Sequence, residues 1–238
     1  MGTYKKENTT SYTLGITLSI ELLKTKPEVV KTVYFHTSFE QGNAYDIITS
    51  ICKKNHIEVV TSNKIFNALS QKENCYVICE FYKFSLPIDL NENHVVLVNP
   101  SDPGNLGTIM RSMLGFGINN LAIIEPGVDH FNPKTVRSSM GAIFHMNVEY
   151  FKSFAEYQEH VSNRDYFPFM LKAKDTLPNI HKYKTKEVYS LIFGNEATGL
   201  PDEFLNIGTP IIIEHSKMID SLNLTIAASI ALYEVTKK

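Results

Sequence analysis

Short apolar runs of strand length alternate with helix-like runs along the whole chain, and no other feature of the sequence limits the fold so strongly. A strand that leads through a helix to another strand returns to its sheet in parallel, so the alternation predicts an α/β architecture with a largely parallel sheet. The candidate strands cover residues 30–35, 57–60, 75–81, 94–98, 121–124, 167–171 and 188–193. Between Phe84 and Asn93 the run FSLPIDLNEN holds a proline and a polar second half, which predicts a linker. The chain then divides into a first domain over 1–88 and a second over 89–238. With 238 residues, 43% hydrophobic and 20% charged, there is ample material for two cores, and disorder is excluded.

Net charge is -2, so the whole-molecule field gives no sign of a polyanionic partner. The two parts differ in sign. Residues 1–88 carry ten lysines against eight acids, a net of +2, and the remainder nets -4. If one half touches nucleic acid, the first is the better candidate, with Lys24, Lys26 and Lys31 around Pro27 and Lys53, Lys54 and His56 in a second cluster.

Three cysteines, an odd number without a CxxC pair, argue against a disulfide framework or a zinc cluster and for a reducing cytoplasm. The longest apolar run, Ile226 to Tyr233, falls far short of the ~18 residues of a membrane span. The N-terminal stretch MGTYKKENTTSYTLG lacks a secretory apolar region, and Lys6 stands where a myristoylation signal on Gly2 wants Ser or Thr.

Three polar stretches carry the chemistry. The first, Asn99 to Gly107, leaves a strand through two prolines and a glycine, and Asn105 is suited to cap the helix that follows. In that helix Leu106, Ile109, Met110, Met113 and Leu114 form one apolar stripe, and Arg111 lies off it. The second, Phe193-Gly194-Asn195-Glu196-Ala197-Thr198-Gly199, is a turn after a strand, where glycine lets a flat ligand approach the backbone. It is neither the GxGxxG signature nor a P-loop. The third, Asp220 to Thr225, puts Ser221 and Asn223 at the N-terminus of an almost wholly apolar helix, where they cap it or hold a ligand.

In this order, NPSDPGNLGTIMRS, FGNEATGL and IIIEHSKMIDSLNLTIAASIALYE resemble the three motifs of the SpoU (TrmH-type) RNA 2′-O-ribose methyltransferases of the SPOUT superfamily, over residues 94 to 238. The segment Arg137 to Phe144 is similar to the family's stretch between motifs one and two. The resemblance implies a SPOUT α/β domain whose C-terminal segment forms a trefoil knot, a homodimer, and bound S-adenosyl-L-methionine. More weakly, residues 13–85 resemble the L30e-like RNA-binding domain that precedes the catalytic domain in several members. By position, the resemblance assigns cofactor binding to Gly194, Ile213 and Leu222, and the methyl-transfer site to Asn105, Arg111, Glu196, Ser221 and Asn223. It implies RNA as partner, ribosomal more than transfer RNA; from the apolar runs and cysteines above, no membrane and no metal are expected.

The family assigns the motif-one arginine as base, but guanidinium stays protonated in proteins, so Arg111 is expected chiefly to grip a phosphate and position the ribose. Glu196 is expected to pair with Arg111 or to fix the motif-two loop. The family's Ile-Pro-Met reads Ile213-Glu214-His215 here, and its following glycine is Lys217. These departures keep a competing reading open, a non-catalytic RNA-binding or assembly protein that retains the fold.

Overall fold

The structure, a computed structural model, describes residues 4–69 and 75–237; Gly2, considered above for acylation, lies outside them. In chain order the elements are β1 (Thr10–Leu14), α1 (Ile16–Thr25), β2 (Val30–Phe35), α2 (Asn43–Lys54), β3 (Glu58–Thr61), α3 (Lys64–Leu69), β4 (Val77–Tyr82), β5 (His94–Val98), α4 (Pro103–Gly115), β6 (Asn120–Ile124), α5 (Pro133–Ser138), β7 (Asn147–Phe151), α6 (Phe154–His160), β8 (Asp165–Pro168), β9 (Asp175–Thr176), β10 (Tyr189–Phe193), β11 (Ile211–Ile212) and α7 (Leu224–Thr236). All seven expected strands are present within three residues at each end; the two-residue β9 and β11 were not anticipated, nor were β1 and β7. Both carry polar residues at every second position, TSYTL and NVEYF, so neither reads as an apolar run.

The chain forms two compact units, one of residues 4–84 with 129–145 and one of 85–128 with 146–237. A single cut after residue 88 therefore misses one excursion: the segment 129–145 groups with the first unit. Its anchors are aromatic and ionic. Phe131 and Phe144 meet the ring of Phe81 edge-on at 6.0 and 5.8 Å, Lys83 pairs with Asp129 at 3.0 Å, and Tyr4 hydrogen-bonds the same carboxylate. The first unit's sheet runs β1-β4-β2-β3, with β2 and β3 parallel and the other pairs antiparallel.

The second unit carries a five-stranded sheet in the order β7-β6-β5-β10-β8, parallel throughout. The expected linker belongs here: Leu86 bridges Val148, and Ile88 is buried in the core. Parallel strands covered on both faces are apolar almost without interruption, as β5, β6 and β10 are. The first halves of β5 and β10 nonetheless bury polar side chains. Arg164 donates to the Ser190 hydroxyl at 3.3 Å and to the Leu90 carbonyl at 2.8 Å; Ser190 and the Tyr157 hydroxyl are 2.7 Å apart; Tyr157 and His94 Nδ1 are 2.8 Å apart. His94 Nε2 faces the Asp89 carbonyl at 2.8 Å. A carbonyl only accepts, so Nε2 bears the proton, Nδ1 accepts from Tyr157, and Ser190 donates to Tyr157. The hydrogen bonds thus run in one direction from Arg164 to Asp89, each polarising the next.

Burial holds the His94 pKa down at about 4, against 6.5 for an ordinary histidine, with the Arg164 charge acting the same way and the Asp89 carbonyl opposing. A depressed histidine stabilises the fold fully above pH 6.5, and its contribution falls as pH drops from 6.5 towards 4, since the unfolded chain then binds the proton more readily. Denaturant titrations across this range should show a loss of about 3 kcal/mol attributable to His94. In His94→Gln the pH slope between 6.5 and 4 should be visibly shallower, and an unchanged slope contradicts the assignment.

Candidate active site

Ligand sites of parallel sheets form beyond the carboxyl ends of the strands, where loops replace the ladder. After β5 the backbone turns at Asn99, which holds φ at 54°, a left-handed conformation that asparagine tolerates better than most residues. Asp102 then caps α4: its Oδ1 accepts from the Asn105 N–H at 2.8 Å, and Pro103 takes the first helical position, where no donor is needed. The sequence reading put the cap at Asn105. The Asp-Pro pair starts the helix earlier, leaving the Asn105 side chain available for another partner.

That partner is Glu196. After β10 the loop folds back so tightly that a Cβ at Gly194 would lie 2.1 Å from the Gly199 carbonyl carbon and 2.3 Å from Leu200 N. Gly194 is therefore required by the approach of the chain to itself, and its backbone also lines the cavity described below. Asn195 Oδ1 accepts from the N–H groups of Ala197 and Thr198, and its Nδ2 donates to the Asn99 carbonyl at 2.8 Å. The turn thus presents Glu196 to the loop after β5. Its carboxylate accepts from Ser101 N (3.1 Å), Ser101 Oγ (2.7 Å), Asp102 N (3.1 Å) and Asn105 Nδ2 (3.3 Å). Partial burial works against ionisation of Glu196, but the Ser101 hydroxyl and the backbone N–H donors outweigh it and hold the pKa below the usual value.

Gly194, Ile213 and Leu222, the three expected cofactor positions, line one cavity of about 330 Å³ together with Glu196 and Ser221. Phe169 and Phe193, stacked 4.5 Å apart, contribute apolar wall. Asn105 stands behind Glu196. Asn223 caps α7 by accepting from Thr225 N at 2.9 Å, the structural role of the two weighed for it. Arg111 is exposed on α4, outside the cavity lining, and makes no hydrogen bond or ion pair among the described residues. Its pairing with Glu196 is absent; the carboxylate fixes the loops, as the other expectation had it. Of the residues that depart from the motif-three pattern, Glu214 and Lys217 are exposed and do not line the cavity. His215 does line it, and its Nδ1 donates to the Ile213 carbonyl at 2.8 Å. The sequence reading missed Ser101, Asp102 and Asn195; the Asp-Pro cap signature and the Asx-turn preference of asparagine were the signals for the last two. Among the described residues no three His, Cys, Asp or Glu side chains gather as a metal site requires.

Residues 92–233 match the model of the SpoU rRNA Methylase family. An uncharacterised tRNA/rRNA methyltransferase of Synechocystis is 31% identical over 147 residues, 60% of this chain and 53% of that protein. A 23S rRNA uridine 2′-O-methyltransferase of Streptomyces viridochromogenes is 28% identical over 149 residues, 60% of this chain and 52% of its own length. The chain thus matches about half the length of these curated relatives. A crystal structure of an AdoMet-bound rRNA methyltransferase from Sinorhizobium meliloti has a TM-score of 0.79 and 25% identity, covering 95% of this chain and 86% of that one.

Replacing Glu196 by Ala leaves the donors of Ser101, Asp102 and Asn105 without their acceptor. Because the site is partly open, water takes up some of them, and the expected loss of stability is about 1–3 kcal/mol by denaturant titration. Asp102→Ala should cost about 1 kcal/mol through the cap alone. The double variant should lose less than the two losses added, since both act on one loop.

Proposed function

The chain belongs to the SpoU rRNA methylase family, and from that premise we propose that it is an S-adenosylmethionine-dependent methyltransferase acting on a ribose 2′-hydroxyl of RNA, ribosomal more than transfer RNA. The observation that carries the reading is the convergence of four stretches, within 169–172, 193–202, 211–215 and 221–227, on one cavity at the carboxyl ends of parallel strands. The cavity fits this cofactor: apolar walls at Phe169, Phe193 and Ile211 suit a purine, and backbone at Gly194, Ile213 and Leu222 offers hydrogen-bonding edges. Similarity to an AdoMet-bound rRNA methyltransferase over nearly the full chain supports the same choice.

Bound there, the cofactor supplies a methyl group on a sulfonium, open to in-line attack by the ribose oxygen. Glu196 holds the loops after β5 and β10 in fixed register and so shapes the wall beside the reacting groups. Ser221 lines the same wall and orients cofactor or ribose. Arg111, with five donors and no partner among the described residues, takes an RNA phosphate through its planar fork and thereby positions the 2′-hydroxyl. Asn105 and Asn223 act one step behind, through Glu196 and through the start of α7.

The finer organisation belongs to the same proposal. The first unit is read as an L30e-like RNA-binding domain. In the second, the C-terminal segment is read as threaded into a trefoil knot, which accords with β10 lying between β5 and β8 and with the crowding at Gly194. A homodimer is supported by α7, which buries Ala228, Ala231, Leu232 and Val235 but leaves Ile226, Ile230 and Tyr233 substantially exposed. No helix among the described residues is long and apolar enough to cross a membrane. The reducing cytoplasm is read from the odd set of three cysteines, of which Cys52 and Cys79 are buried free thiols.

Transfer of labelled methyl groups to ribosomal RNA, followed by nuclease digestion to locate the label on ribose or base, tests the activity directly. Arg111→Ala should lower turnover by roughly 100-fold while calorimetric affinity for S-adenosylmethionine stays at the wild-type value. Arg111→Lys should recover little, since it keeps the charge and loses the fork. Wild-type turnover in Arg111→Ala removes the arginine from the mechanism. RNA affinity should also fall with added salt, as phosphate contacts require.

A further inference from the structure

Four side chains lining the cavity are charged or can become so: Lys172, Glu196, Asp202 and His215. Glu196 already accepts from the backbone and side chains of the loop after β5, and His215 is tied through Nδ1 to the Ile213 carbonyl. Among the described residues, Lys172 and Asp202 have only each other. Nζ of Lys172 lies 2.7 Å from both carboxylate oxygens of Asp202, with the side chains 65% and 68% exposed. An ion pair this open to water adds little to stability, so it separates at small cost. Among the described residues it is the one oppositely charged couple on the cavity wall, and it is open to exchange.

Resting on the cofactor reading above, we propose that Lys172 and Asp202 recognise the α-amino-carboxylate end of S-adenosylmethionine, Asp202 taking its ammonium group and Lys172 its carboxylate. The ligand carries both charges on one carbon, and the protein presents the complementary two within a hydrogen-bond length of each other. On binding, one internal ion pair opens and two form. Neither side chain loses a charged partner, which avoids the penalty of leaving a charge uncompensated. The remaining lining, largely apolar wall and loop backbone, is left to the nucleoside and thioether.

The test is calorimetric titration of the full chain with S-adenosylhomocysteine and with 5′-methylthioadenosine, which shares the nucleoside and thioether but lacks the charged end. Wild type should bind S-adenosylhomocysteine more tightly. In Lys172→Met and in Asp202→Asn its affinity should fall about fivefold while that for 5′-methylthioadenosine is unchanged. Both positions are exposed, and thermal melting of the variants should match wild type. If the two ligands weaken equally, or neither changes, the proposal is overturned while the cofactor reading stands. If wild type binds neither ligand, the cofactor reading fails and the proposal with it.

Discussion

The acceptance of four hydrogen bonds by the Glu196 carboxylate fixes the geometry on which the candidate site depends. Two come from backbone N–H groups at Ser101 and Asp102, one from a hydroxyl and one from an amide. The chain segments it joins are about ninety residues apart and follow neighbouring strands of the same sheet. Without an acceptor at this point, the donors of Ser101, Asp102 and Asn105 would turn in part to water, and the loops after β5 and β10 would lose these bonds between them. The bond from Asn195 to the Asn99 carbonyl would remain. An ionised carboxylate serves better than an amide here because it offers only acceptors, matching a partner set composed only of donors.

The elements with strong apolar periodicity were legible from sequence. Strands β5 and β10 and the buried stripe of α4 stand where their patterns put them, because burial on a parallel sheet leaves no choice of face. The polar strands β1 and β7 were invisible for the converse reason: their residues are selected by neighbours distant in sequence. The excursion 129–145 belongs to this class. Its membership of the first unit follows from Phe131 and Phe144 meeting Phe81, contacts that no local pattern announces.

The site residues divide in a similar way. Five of the eight expected positions reach the cavity, and they are the ones set by loop geometry after strands: Gly194, Glu196, Ile213, Ser221 and Leu222. Asn105 and Asn223 were singled out for their residue type, and hydrogen bonding gives them supporting places. Arg111 was legible as an outlier from an apolar stripe, but an outlier on a helix has no address until a partner supplies one. Capping was misplaced by three residues because two competing cap residues, Asp102 and Asn105, lie within one turn. The proline between them decides, as it cannot occupy a position whose N–H must be bonded.

The departures from the motif-three pattern bear on whether such a chain can be a scaffold that has lost its cofactor. A lost site accumulates changes in its walls, since nothing then penalises a charge or a bulky group in the cavity. Here Glu214 and Lys217, the two charged departures, both stand in solvent away from the lining. The third, His215, enters the lining with its Nδ1–H satisfied by the Ile213 carbonyl, so it adds no unpaired donor there. The interior walls stay apolar, and the charges that do face the cavity are either committed to loop structure at Glu196 or paired at its exposed edge. That distribution is what a site retains when a partly charged, partly aromatic ligand is still accommodated, and it weighs against the scaffold reading.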